Sequence, residues 1–117
     1  MAYEEFSGLT GKIIGCAIAV HKEIGPGFSE IVYARALRVD LEKNGIVFVT
    51  EWPIALFYDG KMIGMHRLDL LVADSVIVEL KAVKMLTGIH IAQMLSYLKS
   101  SKKHLGLLLN FSTPTLV

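Results

Sequence analysis

The chain has 117 residues, 53% of them hydrophobic, and a formal net charge of +1. That length suits one domain spanning 1–117 with a real core; the composition excludes a disordered chain, and the balanced charge by itself gives no pull toward nucleic acid. The single Cys16 excludes an intramolecular disulfide and a zinc site built on several cysteines, so a reducing, cytoplasmic location is the expectation. No apolar run approaches the roughly 20 residues of a membrane span, and MAYEEFSG is acidic where a secretory leader would be basic.

In chain order, residues 9 to 22 set Leu9, Ile13, Ala17 and Val20 on one face at helical spacing, with Cys16 and Ile24 beside them. Gly11 and Gly15 would let another backbone approach this helix closely, though each costs about 1 kcal/mol relative to alanine. The Gly25-Pro26-Gly27 break ends it, and Ser29 is a good N-cap for the next. Residues 30 to 44 form an amphipathic helix with Ile31, Ala34, Leu37, Val39 and Leu41 as its apolar positions, closed by Asn44-Gly45. Glu30 sits in its first turn, where a carboxylate complements the helix dipole without any further role.

From residue 46 the period becomes strand-like. Asp59-Gly60 marks a tight hairpin, and Pro53 marks an edge position or a bulge. Residues 67–81, RLDLLVADSVIVELK, are two apolar runs about a second turn at Ala73-Asp74-Ser75, which completes a meander of three strands. A helix from Thr87 or Gly88 to about Lys102 follows, with Ile91, Leu95 and Leu98 as its apolar face and Gln93 and Tyr97 as neighbours one turn apart. HLGLLLNF at 104–111 has the continuous hydrophobicity of a strand buried on both sides. Lys81 and Lys84 are candidates, with Lys99, Lys102, Lys103 and His104, for a basic strip; the competing interpretation is that cations at a helix C-terminus are ordinary solvated surface.

The meander carries the chemistry. If Val72 pairs with Val76 across a three-residue loop, Asp69 falls opposite Glu79, and Lys81 points to the face of Glu79. Two carboxylates this close among apolar residues repel strongly unless a cation lies between them. A divalent ion or Lys81 would serve. Hard oxygen donors suit Mg2+ or Mn2+, and a lysine beside the ion would position water and offset charge on a phosphoryl transition state. The competing interpretation is a cross-strand ion pair on a solvent face. Other motifs are missing: there is no phosphate-binding glycine loop, no paired histidines among His21, His66, His90 and His104, and no Gly-x-Ser-x-Gly elbow.

The string Gly27-Phe28-Ser29-Glu30-Ile31-Val32-Tyr33 fits G-x-x-E-x-x-Y, and with HRLDLLV, VIVELKAV, Gln93-x3-Tyr97 and LGLLLNF the chain resembles the GxxExxY family, a branch of the PD-(D/E)XK nuclease superfamily. The resemblance covers nearly the whole chain. It implies an α/β fold with a restriction-endonuclease-like core, a mixed sheet flanked by helices in the order α-α-β-β-β-α-β. It also implies Asp69, Glu79 and the backbone carbonyl of Leu80 as metal ligands, with Glu30 binding the ion directly or through water. Lys81 would be the catalytic lysine, supported by Gln93 and Tyr97. His66 stands where the pattern has a tyrosine, Leu68 where it has a small residue, and Lys84-Met85 where it has an acidic pair.

The expectation is therefore a Mg2+- or Mn2+-dependent nuclease acting on DNA in preference to RNA, with a homodimer or partner subunit supplying what so small a chain lacks. The alternative is a non-catalytic module that binds nucleic acid or protein on the same fold.

Overall fold

The computed structural model describes residues 2–117, with side chains from Gly8 onward; the side chains of the acidic opening segment lie outside that range. The elements are α1 (Ala2–Ile24), α2 (Glu30–Lys43), β1 (Phe48–Tyr58), β2 (Lys61–Val72), β3 (Val76–Lys81), α3 (Gly88–Ser101) and β4 (Leu105–Asn110). This is the expected order. The four strands form one sheet in the order β1-β2-β3-β4, antiparallel except for the β3–β4 pair, which α3 connects as a crossover. A mixed sheet flanked by helices in this arrangement is the restriction-endonuclease-like architecture.

The sheet divides the core in two. On one face Ile13, Ala17 and Val20 of α1 and Tyr33, Leu37 and Leu41 of α2 pack on Leu70, Val72, Val76, Val78, Leu80 and Leu109. On the other, Met94 and Tyr97 of α3 cover Ile54, Leu68, Leu71 and Ile77. Strands β2 and β3 are thus buried from both sides at their centre, which is why their sequences lose the polar alternation of a half-exposed sheet.

Several expectations about faces are corrected. Ile31 and Val39 are exposed, because the inward face of α2 is set by Tyr33, whose ring stacks on Phe111 at 4.7 Å, and by Ala34, Leu37 and Leu41. Ile91 and Leu95 are likewise exposed, and Met94 and Tyr97 take the inward positions of α3. A Cβ at Gly11 or Gly15 would meet nothing within 4 Å, so no backbone approaches there. The close approach is at Gly106, where a Cβ would collide with Met94 Sδ; the missing side chain lets α3 sit down on β4. Finally, β4 is an edge strand and mostly half-buried, since its faces are covered while its outer edge is not.

Other local signals hold. Gly45 follows the α2 cap with φ +71°, and Thr87 caps α3 with its N–H donating to His90 Nδ1 at 3.0 Å, a histidine in the place a capping-box glutamate usually takes. Pro53 does lie on edge strand β1, and the β1–β2 register slips between Leu56 and Phe57. At the end of β4, buried Asn110 bonds Val83 through both side-chain polar atoms, and its backbone exchanges two hydrogen bonds with Val117. Among the described residues, no helix is long and apolar enough to cross a membrane.

Candidate active site

The turn between β2 and β3 is the three-residue loop expected, with Ala73 and Asp74 at positive φ and Val72 paired with Val76. From there the ladder runs through Leu71↔Ile77 to Leu70↔Val78 and stops. Asp69 and Glu79 stand at the next step, where side chains replace backbone pairing. The Asp69 N–H donates to Glu79 Oε1 at 2.8 Å, and the Leu80 N–H donates to Asp69 Oδ2 at 2.8 Å. Each carboxylate satisfies an amide on the opposing strand that the interrupted ladder would have left unpaired.

The cause of the interruption lies in β2. Leu68 and Leu71 both pack against α3, three residues apart, whereas Leu70 and Val72 both face α1 and α2. Strict alternation would put Leu68 and Leu71 on opposite faces, so the strand rotates out of phase at Asp69 and Leu70. Opposite this point in β1, Glu51 has φ +50° and drops out of the ladder between Thr50↔Leu70 and Trp52↔Leu68. Irregularities of this kind re-aim a side chain.

Glu79 is buried to 5% exposure, and its pKa is pushed up to about 7. Desolvation is the main cause and the Asp69 charge the next; Glu30 adds to the rise, while the Asp69 amide and Lys81 oppose it. Glu30 and Lys81 are therefore both electrostatically within reach of Glu79, although neither forms an ion pair with it. Tyr97 is buried and joins the site through His66, whose ring stacks on it at 4.4 Å and 10°. Gln93 is exposed and forms no hydrogen bond with the other members. The structure thus brings Asp69 and Glu79 into direct contact, with Lys81 and Glu30 near enough to act on Glu79 through their charge and Tyr97 stacked behind His66, while Gln93 stays exposed on α3.

His66, which the sequence marks only as a departure from the family's tyrosine, is a member of the site. Its Nε2 lies 3.8 Å from Glu79 Oε2 and is buried without a hydrogen-bond partner. Burial lowers its pKa below the ordinary value and Lys81 adds to the depression, while Asp69 pulls the other way. The available clue was its place in the G-x-x-E-x-x-Y resemblance at a position that otherwise carries an aromatic ring, a role the imidazole fills here by stacking.

Two negative results bear on the chemistry. Burial raises the Cys16 thiol to about 11, with the neighbouring Asp40 adding to the effect, so it is not a poised nucleophile. Lys103 does not belong to a basic strip beside the carboxylates: its Nζ donates to the Asp74 carbonyl at 2.8 Å, at the far end of the hairpin, and lies over the Trp52 ring.

Among the described residues, no group of three or more His, Cys, Asp or Glu side chains forms a ready cage for a metal. The donor set nonetheless suits a hard divalent ion that keeps most of its waters. Asp69 Oδ1 takes no part in the backbone bonds, and Glu79 Oε2 has only the distant imidazole. The fold and the carboxylate-lysine hairpin define the class as restriction-endonuclease-like. A family model for the PD-(D/E)XK nuclease superfamily matches residues 7–117, and the chain belongs to that superfamily. No curated protein and no solved structure matches it.

Proposed function

We propose that the protein is a divalent-metal-dependent nuclease of the GxxExxY branch that hydrolyses phosphodiester bonds in DNA. The observation that carries this reading is the end of the β2–β3 ladder: Asp69 and Glu79 are each anchored by one oxygen to the opposing backbone, with the other oxygen available. In an extended strand a residue's carbonyl leaves on the same edge as its N–H. The Leu80 carbonyl is therefore directed to the edge where its amide meets Asp69.

Asp69 Oδ1, Glu79 Oε2 and the Leu80 carbonyl would hold Mg2+ or Mn2+, with Glu30 contributing through water. The bound ion supplies Lewis acidity toward the phosphate and a more acidic water. Lys81, two residues beyond Glu79 on the same strand face, orients the attacking water and offsets charge developing on the phosphoryl oxygens. Tyr97 holds His66 against Glu79 and so restrains that carboxylate. Gln93, exposed on α3, contributes an amide to the nucleic-acid backbone.

The test is calorimetric titration of Mn2+ or Mg2+ together with cleavage of plasmid and oligonucleotide DNA and of RNA. Metal binding that is lost in Asp69→Ala, with cleavage lost in both Asp69→Ala and Lys81→Ala, supports the nuclease. DNA binding that survives EDTA, with no cleavage under any divalent ion, supports the non-catalytic module instead.

A further inference from the structure

We propose that β4 is a dimerisation edge, at which two copies pair antiparallel about Leu107 to make one eight-stranded sheet. The Phe111 N–H bonds the Lys81 carbonyl, so residues 111, 109, 107 and 105 present their backbone polar groups to β3. Residues 110, 108 and 106 present theirs outward. Asn110 is satisfied by Val117, which caps the edge at that end. Gly106 and Leu108 are left as a free donor-acceptor pair of residues on a strand, LGLLLN, that carries no charge, proline or bulge to discourage pairing.

The geometry selects a second copy as the occupant. An antiparallel pair of strands has two-fold axes perpendicular to the sheet, and an axis at Leu107 sets Gly106 of one copy opposite Leu108 of the other. Both residues face outward, so the two such pairs exchange four hydrogen bonds. The capped Asn110 keeps the free edge to about the length this register uses. Gly106 and Leu108 also lie on the α3 side of the sheet, where a groove of about 270 Å³ runs between α3 and β4, walled by Ile91, Met94, Leu95 and Leu98. The Leu108 side chain of one copy is set beside the bare Gly106 of the other, in that groove.

The same axis places the two α3 helices antiparallel on one face of the joined sheet. Ile91 and Leu95, on the wall of that groove and at 56% and 61% exposure, then meet their counterparts. With the half-buried Leu108 they form an apolar contact on the α3 side of the joined sheet. The antiparallel helices oppose their dipoles favourably, and the basic ends at Lys99 and Lys102 fall at opposite ends of the contact, apart from each other.

Sedimentation velocity from about 1 to 200 µM, with amide hydrogen exchange at both limits, tests this independently of any metal or cleavage. The expected result is a monomer-dimer equilibrium in that range, with the Gly106 and Leu108 amides protected only in the dimer. Leu95→Lys and Ile91→Lys, both on exposed positions that leave the core untouched, should each weaken association at least tenfold. A monomer at 200 µM overturns the proposal. So does a dimer that survives both substitutions, or one in which the two amides exchange freely.

Discussion

Replacing Glu79 by glutamine should stabilise the metal-free protein at neutral and alkaline pH. In the unfolded chain this carboxyl titrates at its ordinary value of 4.5, and in the fold at about 7. The folded state therefore holds a proton that the unfolded state has released, and it is the protonated form that the fold favours. Below about pH 4.5 that advantage is fully present; it is lost steadily as pH rises to about 7 and is constant beyond. Two and a half pH units correspond to about 3 kcal/mol, an upper figure for a group this deeply buried. Glutamine keeps an oxygen to accept the Asp69 amide and removes the charge that burial and Asp69 oppose. Urea denaturation in EDTA at pH 5 and pH 8 measures the effect. The wild-type protein should lose about 2–3 kcal/mol between the two, whereas Glu79→Gln should lose little of it and exceed wild type at pH 8. Millimolar Mn2+ should restore wild type at pH 8 and leave the variant unchanged. A wild-type stability that rises from pH 5 to 8, or a variant less stable than wild type at pH 8, would refute the account of Glu79 as a carboxylate strained by burial.

Three further outcomes follow from particular contacts. Lys81→Ala should lower cleavage at least about 100-fold while leaving Mn2+ affinity, read by calorimetry, within a few fold, because the lysine acts on the reaction rather than on the ligands. Tyr33→Phe keeps the stack on Phe111 but loses the bond to the Gly25 carbonyl at 2.6 Å and the bond from the Phe28 N–H at 3.2 Å. It should cost about 1–3 kcal/mol in urea denaturation and speed hydrogen exchange at Phe28, next to the start of the helix that carries Glu30. Gly106→Ala forces its new methyl group against the Met94 thioether, and since that side chain is flexible the loss should be about 1 kcal/mol, seen as a lower melting temperature.

Much of this architecture is legible in the sequence because its signals are local. Asp59-Gly60 and Ala73-Asp74-Ser75 are turns whose residues tolerate the backbone required, and the loop length at the second fixes the register that brings Asp69 to Glu79. What could not be seen there is the phase change at Asp69 and Leu70. It depends on Glu51 leaving the ladder in a neighbouring strand, which no pattern within β2 encodes. The helix faces misread in α2 and α3 share one cause. Both helices have more apolar residues than the core can take, so hydrophobicity alone does not say that Tyr33 and Tyr97 turn inward while Ile31 and Leu95 do not. Gly106 was invisible for a related reason: only the packing of α3 shows that a side chain there has no room.

The two backbone bonds made by Asp69 and Glu79 give these residues a second employment. They finish a sheet whose own ladder has ended, so the hairpin would ask for a carboxylate at each position even in a chain that cut nothing. Lys81 stands under no such obligation. Its ammonium forms no hydrogen bond or ion pair among the described residues, and it acts on Glu79 and His66 through its charge alone. If the protein is the nuclease proposed above, the lysine is therefore the residue whose identity would separate a working enzyme from a scaffold that has kept the acidic pair for its architecture.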